Sequence, residues 1–118
     1  MDYVMVSKDE DCIDVCFYIE QEKPFRIGEK MNEIHEDAYM NGYNWEMFLN
    51  YYLENNAPEV LEGLDTDPEA GLYAAYYDVS DENEKKAEKL AEIIRFLIEN
   101  EDELYRIIRE EGNQIDWE

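Results

Sequence analysis

Two short runs near the start of the chain are rich in β-branched and aromatic residues. They are YVMV at positions 3–6 and CIDVCFYI at positions 12–19, and the second alternates apolar and polar residues. The charged stretch SKDED lies between them. This pattern predicts an antiparallel β-hairpin.

Apolar residues then recur with the period of an α-helix. After Pro24, four of them are spaced by four, three and four positions and share one helix face: Ile27, Met31, Ile34 and Ala38. Asn41–Gly42 is expected to end this helix.

A second helix is predicted from Asn44, which is suited to cap it. Five apolar residues fall within an arc of about 140° and are expected in the core: Trp45, Phe48, Leu49, Tyr52 and Leu53. Met47 and Tyr51 lie outside this arc, on the side of Glu46 and Glu54. They contact either another element of the same domain or a partner.

Shorter elements follow. Pro58 suits the start of a short helix, and LDTDPEAG at 64–71 is expected to be a loop. The run GLYAAYYDV at 71–79 predicts a strand, one face of which lies under the helices. Its two faces carry these residues: Leu72, Ala74 and Tyr76 on one, and Tyr73, Ala75 and Tyr77 on the other.

The last third of the chain predicts two helices. Asp81 with Glu84, and Asn100 with Glu103, have the spacing of capping boxes. The first helix is expected to bury one apolar face, which consists of Ala87, Leu90, Ala91, Ile94, Leu97 and Ile98. Phe96 lies on the opposite side and is unexplained. The second helix contains the apolar residues Leu104, Ile107 and Ile108 and ends at Gly112. An extended tail is expected to follow it.

The order of these elements predicts an α+β fold. A small antiparallel sheet, made of the N-terminal hairpin and a central strand, is expected to pack against four or five helices. With 118 residues, of which 45% are hydrophobic, the chain is expected to form a single domain over positions 1–118.

Charge is the feature that departs most from an ordinary domain. The chain has 32 acidic and 10 basic residues and a net charge of -22. Such a charge disfavours binding to nucleic acid or anionic membranes and favours cationic partners. Because the N-terminus lacks the features of a signal peptide, we expect the protein in the cytoplasm.

No motif predicts catalysis, a metal or a cofactor. In a strand, Cys12 and Cys16 would be roughly 13 Å apart, beyond the limit of about 7 Å for a disulfide. His35, the one histidine, is expected to be structural. The acidic turn DTDPE resembles the start of a calcium loop, but the glycine and final acid that such a loop requires are absent. The protein is therefore predicted not to be an enzyme.

The middle of the chain has acids and tyrosines without bases. Between Lys30 and Lys85, 54 residues include 14 Asp or Glu and seven of the ten tyrosines. Uncompensated carboxylates destabilise a fold, so their retention favours a surface that captures a basic partner, although a generally acidic protein would also fit. The residues predicted to bind this partner are Tyr43, Glu46, Met47, Tyr51, Glu54, Asp65, Asp67, Glu69, Tyr73, Tyr77 and Asp78.

Several runs carry a resemblance to a known family. YMNGYNWEMFLNYYL, DPEAGLYAAYY and IIREEGNQIDWE, together with the acidic helix ENEKKAEKLAEIIRFLIENEDELY, resemble the immunity protein 51 family of bacterial polymorphic-toxin systems. The resemblance spans about positions 35–118. It implies a small intracellular protein without catalysis that binds and neutralises a toxin made beside it.

These observations give two functional hypotheses. In the first, the acidic, tyrosine-bearing surface covers the basic active site of a cognate toxin, for example a nuclease, and excludes its substrate. In the second, the protein is an acidic adaptor or nucleic-acid mimic that binds a basic host protein. A small enzyme would instead need a pocket lined by converging acids.

Overall fold

Four antiparallel strands and four α-helices form the part of the chain described by the computed structural model, residues 3–118. The strands are β1 (Val4–Lys8), β2 (Cys12–Phe17), β3 (Asp65–Thr66) and β4 (Tyr73–Asp78). The helices are α1 (Glu22–Ile34), α2 (Gly42–Asn56), α3 (Asp81–Glu99) and α4 (Glu101–Glu111). Short 3₁₀ helices cover Pro58–Leu61 and Gly112–Gln114. The predicted α+β class is confirmed.

The strands form one sheet in the order β1-β2-β4-β3, and each neighbouring pair is antiparallel. The predicted hairpin and the central strand are confirmed. β3 was not predicted, because Asp65–Thr66 lies in the segment expected to be a loop. Two residues are too few to show the alternation by which a strand is recognised in a sequence.

One face of the sheet forms the floor of the core. Six side chains from β2 and β4 point toward the helices and are at most 1% exposed: Ile13, Val15, Phe17, Tyr73, Ala75 and Tyr77. Helices α2 and α3 pack against this face. The alternation of a strand therefore sends the residues between them to the opposite face.

Aromatic edge-to-face contacts connect the sheet to α2. The ring centroids of Phe17 and Trp45 are 4.9 Å apart, and those of Trp45 and Phe48 are 5.8 Å apart. Of the five α2 residues predicted to be core, four are buried, while Tyr52 is half-buried and stacks on Phe48. Such pairs stabilise a core beyond the area that they bury.

Helix α1 differs from its prediction at both ends. It begins at Glu22, before Pro24, and ends at Ile34 rather than at Asn41. The side-chain amide of Asn32 donates to the backbone carbonyls of His35 and Glu36, which stabilises a non-helical turn there. Ala38 was predicted on the apolar face of this helix, but it lies in the connecting segment 35–41, where it is buried.

The helix caps also correct the sequence-based assignments. Asn41, not Asn44, caps α2, because its Oδ1 accepts a hydrogen bond from the Asn44 backbone N–H at 2.9 Å. Ser80 caps α3 by accepting from Asn83 at 3.0 Å, so Asp81 is the first helical residue instead of the cap. Asn100 separates α3 from α4 as predicted, but its side chain makes no capping bond and donates to the Phe96 carbonyl.

The apolar faces predicted for α3 and α4 are buried as expected. The segment after α4 is not simply extended. It begins with a 3₁₀ turn, Ile115 is buried, and the Trp117 indole N–H donates to the Gly112 carbonyl at 3.0 Å. The Glu118 backbone N–H donates to Asn44 Oδ1 at 2.7 Å, so the segment packs back against α2. Within residues 3–118, none of the helices has both the length and the apolar character needed to cross a bilayer.

The two buried tyrosines of β4 provide a matched test of core hydrogen bonding. The Tyr77 hydroxyl donates to the Val60 carbonyl, whereas the buried Tyr73 hydroxyl has no hydrogen-bond partner within residues 3–118. Tyr77→Phe should lower the free energy of unfolding by about 1–2 kcal/mol because it leaves a buried carbonyl without its donor. Tyr73→Phe should leave the free energy of unfolding unchanged or raise it. Urea denaturation of both variants measures the difference, and a larger loss for Tyr73→Phe would contradict this account.

Candidate functional site

The sheet face that the helices do not cover is acidic and carries one exposed tyrosine. We call it the open face, and its side chains are exposed or half-buried: Met5, Ser7, Cys12, Asp14, Cys16, Asp65, Ala74, Tyr76 and Asp78. None of these residues is a Lys or Arg. Lys8, the base nearest to them in β1, lies opposite Ile13 and pairs with Glu84 of α3. The open face is therefore negative.

A row of four residues crosses the open face from strand to strand. Ser7 lies opposite Asp14, Asp14 opposite Tyr76, and Tyr76 opposite Asp65. Directly opposed residues in antiparallel strands have Cβ atoms about 4.5–5.5 Å apart. Tyr76, which is 37% exposed, thus has a carboxylate on each side. This arrangement combines a contact ring with two acceptors for a cationic group.

Further carboxylates border this row. Asp78 lies opposite Cys12, and Asp67 follows β3, where its backbone N–H donates to the Ala74 carbonyl at 2.9 Å. Within residues 3–118, none of the ion pairs involves the acids of this region, Asp14, Asp65, Asp67 and Asp78. Their charges are therefore available to a partner.

Other acids of the base-free middle segment are compensated in space. Glu59 pairs with Lys89 at 2.6 Å, and Glu62 lies 4.0 Å from Lys86. The expectation that this whole segment is uncompensated is therefore wrong. Bases far away in the sequence come close to it when α3 packs beside the 3₁₀ helix Pro58–Leu61.

The predicted residues on α2 divide into exposed and internally bonded groups. Tyr43 is 40% exposed and Glu54 is also exposed, whereas Glu46 accepts a hydrogen bond from the Thr66 hydroxyl. Met47 and Tyr51 are half-buried against the core. The Tyr51 hydroxyl donates to Glu111 Oε1 at 2.5 Å, and this bond raises the pKa of Tyr51. These last two residues thus contact another part of the same chain.

The predicted residues of β3, β4 and the segment between them also divide. Tyr73 and Tyr77 belong to the core, with no exposed surface, and burial raises the pKa of each phenol. Asp65 and Asp78 belong to the open face, and Asp67 and Glu69 are exposed beside it. The fold therefore brings together the acids of this group and separates them from the two tyrosines.

Gly42 fixes the position of α2 relative to the segment 67–72, which connects β3 to β4. Its backbone N–H donates to the Ala70 carbonyl at 2.9 Å, and a Cβ atom on Gly42 would lie 1.8 Å from the Glu69 carbonyl oxygen. Only glycine permits this approach. The contact holds the segment 67–72 beside the N-terminus of α2, where Tyr43 is the next residue of the helix.

Sequence reasoning missed Asp14, Tyr76 and Met5. Asp14 was recognisable, because it alternates with the apolar residues Ile13 and Val15 of a strand whose core face they predict. For β4, both faces carry tyrosines, so alternation alone did not reveal which face is exposed.

The contacts of His35 and Cys12 within the chain bear on whether either residue could act as a functional group. His35 Nε2 is 2.8 Å from Asn113 Oδ1, which connects the end of α1 to the segment after α4. Ligand atoms of Asp9, Cys12 and Asp14 lie within 4.8 Å of one another. However, Asp9 already accepts the backbone N–H groups of Asp11 and Cys12 in the hairpin turn. Partial burial, followed by the Asp14 carboxylate, raises the pKa of the Cys12 thiol to about 11, which disfavours the thiolate that a metal would need.

Comparison with protein families matches residues 3–113 to the family described as immunity protein 51. The match covers nearly the whole chain. No curated protein and no solved structure gave a match.

The raised pKa of Cys12 predicts a slow thiol. In a Cys16→Ser background, iodoacetamide at pH 8 should alkylate Cys12 at least about tenfold more slowly in the folded protein than in urea, because little thiolate is present three pH units below a pKa of about 11. Asp14→Asn should accelerate the reaction by removing a repulsive carboxylate. Mass spectrometry over time measures both rates. Equal rates in the folded and unfolded chains would contradict the prediction.

Proposed function

The chain belongs to the immunity protein 51 family, and we propose that it neutralises a cognate bacterial toxin by covering a basic active-site cleft with its open face. Membership of this family supports an immunity function and a toxin as the partner. The proposed site of action is the cytoplasm of the cell that produces the toxin.

The observation that carries the proposal is the row of Asp14, Tyr76 and Asp65. Two carboxylates that form no ion pair within residues 3–118 flank an exposed ring on the sheet. Carboxylates increase the rate of association with a cationic partner, and tyrosine contributes contact area that slows dissociation. An exposed strand surface of this kind fits occlusion of a cleft better than it fits binding of a small molecule.

A toxin that cleaves nucleic acid is the partner that this surface fits best. Such an enzyme holds phosphates in a positively charged cleft. Asp14, Asp65 and Asp78 would occupy the positions of phosphates and keep the nucleic acid out. Asp67 and Glu69 beside the open face would extend its negative field. Glu46, Glu54 and Tyr43 would add charge and contact area where the toxin reaches α2. Met47 and Tyr51 would support α2 from the inside, and Tyr73 and Tyr77 would support the sheet.

The first test is neutralisation itself. Co-expression with the toxin domain encoded beside this chain's gene should restore growth, and the two proteins should co-purify. Failure of both would contradict the proposed function.

Charge on the open face should control capture. Asp14→Asn with Asp65→Asn should lower the association rate constant for the toxin domain roughly threefold or more at low salt, because steering is lost. Stopped-flow fluorescence at several salt concentrations measures this rate. The matched control is Glu88→Gln with Glu92→Gln, which removes two exposed charges from α3. An equal decrease in the control would show that total charge, and not the open face, is responsible.

Tyr76 should control release. Tyr76→Thr keeps a residue that favours strands but removes the ring, so the dissociation rate constant of the toxin complex should rise roughly tenfold while association changes little. Surface plasmon resonance separates the two rates. Phe96→Ala removes a ring that is 48% exposed on α3 and serves as the control. Unchanged dissociation for Tyr76→Thr would argue against an interface on the open face.

A further inference from the structure

A groove of about 350 Å³ lies between α1 and the connecting segment 35–41, away from the open face. One wall is a stripe of five residues along α1, namely Phe25, Gly28, Glu29, Asn32 and Glu33. The other wall consists of Tyr39 and Met40 from the connecting segment. A groove of this size accommodates one or two side chains and is small for a drug-sized ligand.

Two aromatic rings at this groove are unusually exposed. Phe25 is 53% and Tyr39 is 68% exposed. They belong to the residue types that form anchors in protein interfaces, and Met40 adds a flexible apolar side chain to the lining of the groove. Aromatic residues that leave more than half of their surface exposed are candidates for contact with another molecule.

The groove is preformed by the packing of its two walls. A Cβ atom on Gly28 would lie 3.1 Å from the Met40 Cβ, so glycine allows the connecting segment to approach α1. The Asn44 side-chain amide donates to the Tyr39 carbonyl at 2.7 Å, and the Asn32 amide donates to the Glu36 carbonyl at 3.0 Å. A partner would therefore lose little entropy in ordering this wall.

The charge of the groove determines which occupant it fits. Glu29 and Glu33 are exposed one helical turn apart, and within residues 3–118 neither takes part in an ion pair. Among the described residues, no Lys or Arg lines the groove. A second copy of this chain, with a net charge of -22, would be repelled. A cationic segment of another protein would be attracted.

We propose that the groove binds a Lys or Arg side chain of the toxin, as a second contact besides the open face. The aliphatic stem would pack on Phe25 and Met40, the cationic head would lie near Glu29 and Glu33, and the Tyr39 ring would offer a cation–π contact. This inference rests on the proposed function. The connecting segment that forms one wall of the groove leads into α2 at Gly42. The Gly42 backbone N–H donates to the Ala70 carbonyl, in the segment between β3 and β4 of the open face.

Binding of the toxin domain encoded beside this chain's gene tests the inference. Phe25→Ala with Tyr39→Ala should raise Kd about tenfold or more, mainly through faster dissociation, and Phe96→Ala is the matched ring control. Glu29→Gln with Glu33→Gln should slow association. Glu88→Gln with Glu92→Gln has the same four-residue spacing on α3 and should change Kd less than about twofold.

Glu29→Lys gives a variant that does not depend on removing rings. Residue 29 is exposed, and lysine has a high helix propensity, so the variant should fold. Circular dichroism tests this. A base at the groove should repel the cationic head and raise Kd about tenfold or more.

Each outcome supports or overturns a separate statement. If the wild-type chain does not bind the toxin domain, the proposed function fails and this inference fails with it. If the wild type binds but the groove variants bind equally well, the groove inference alone is overturned. It is also overturned if sedimentation shows that the free chain dimerises and that Phe25→Ala with Tyr39→Ala abolishes the dimer.

Discussion

The edge-to-face contact between Phe17 and Trp45, with ring centroids 4.9 Å apart, joins the sheet to α2 and sets the orientation of both. Once Phe17 points toward the helices, strand alternation places Ile13 and Val15 in the core and sends Asp14 outward. The same register carries through β4, where Tyr73 and Tyr77 point inward and Tyr76 outward. The acidic open face is therefore a geometric consequence of the aromatic core.

The elements were predictable where a long run of residues has one periodicity, and less so where a single side chain decides. The six buried positions of α3 follow from a period that 19 residues sustain. The end of α1 depends instead on the Asn32 amide, and the cap of α2 on the choice between Asn41 and Asn44. β3 exists only because β4 offers a free edge to Asp65–Thr66, which no local pattern reveals.

The candidate site was predictable in kind but not in position. The excess of acids indicated a cationic partner, yet spacing along the chain does not measure distance in the fold. Glu59 lies in the sequence segment between Lys30 and Lys85, which has no base, but it pairs with Lys89 in space. Asp14 lies outside that segment but is opposite Tyr76 in the sheet. Burial decided the rest, because Tyr73 and Tyr77 are indistinguishable from Tyr76 until the register is known.

The bonds around Gly42 bear on the chemical durability of the protein. In a flexible chain, the backbone nitrogen after an asparagine attacks the side-chain carbonyl and ammonia is expelled, which gives a succinimide; a following glycine allows this most readily. Here the Gly42 nitrogen donates to Ala70 and the Asn41 oxygen accepts from Asn44, both at 2.9 Å. Deamidation at this bond thus requires the first turn of α2 to open, so its rate reports on that local opening during storage.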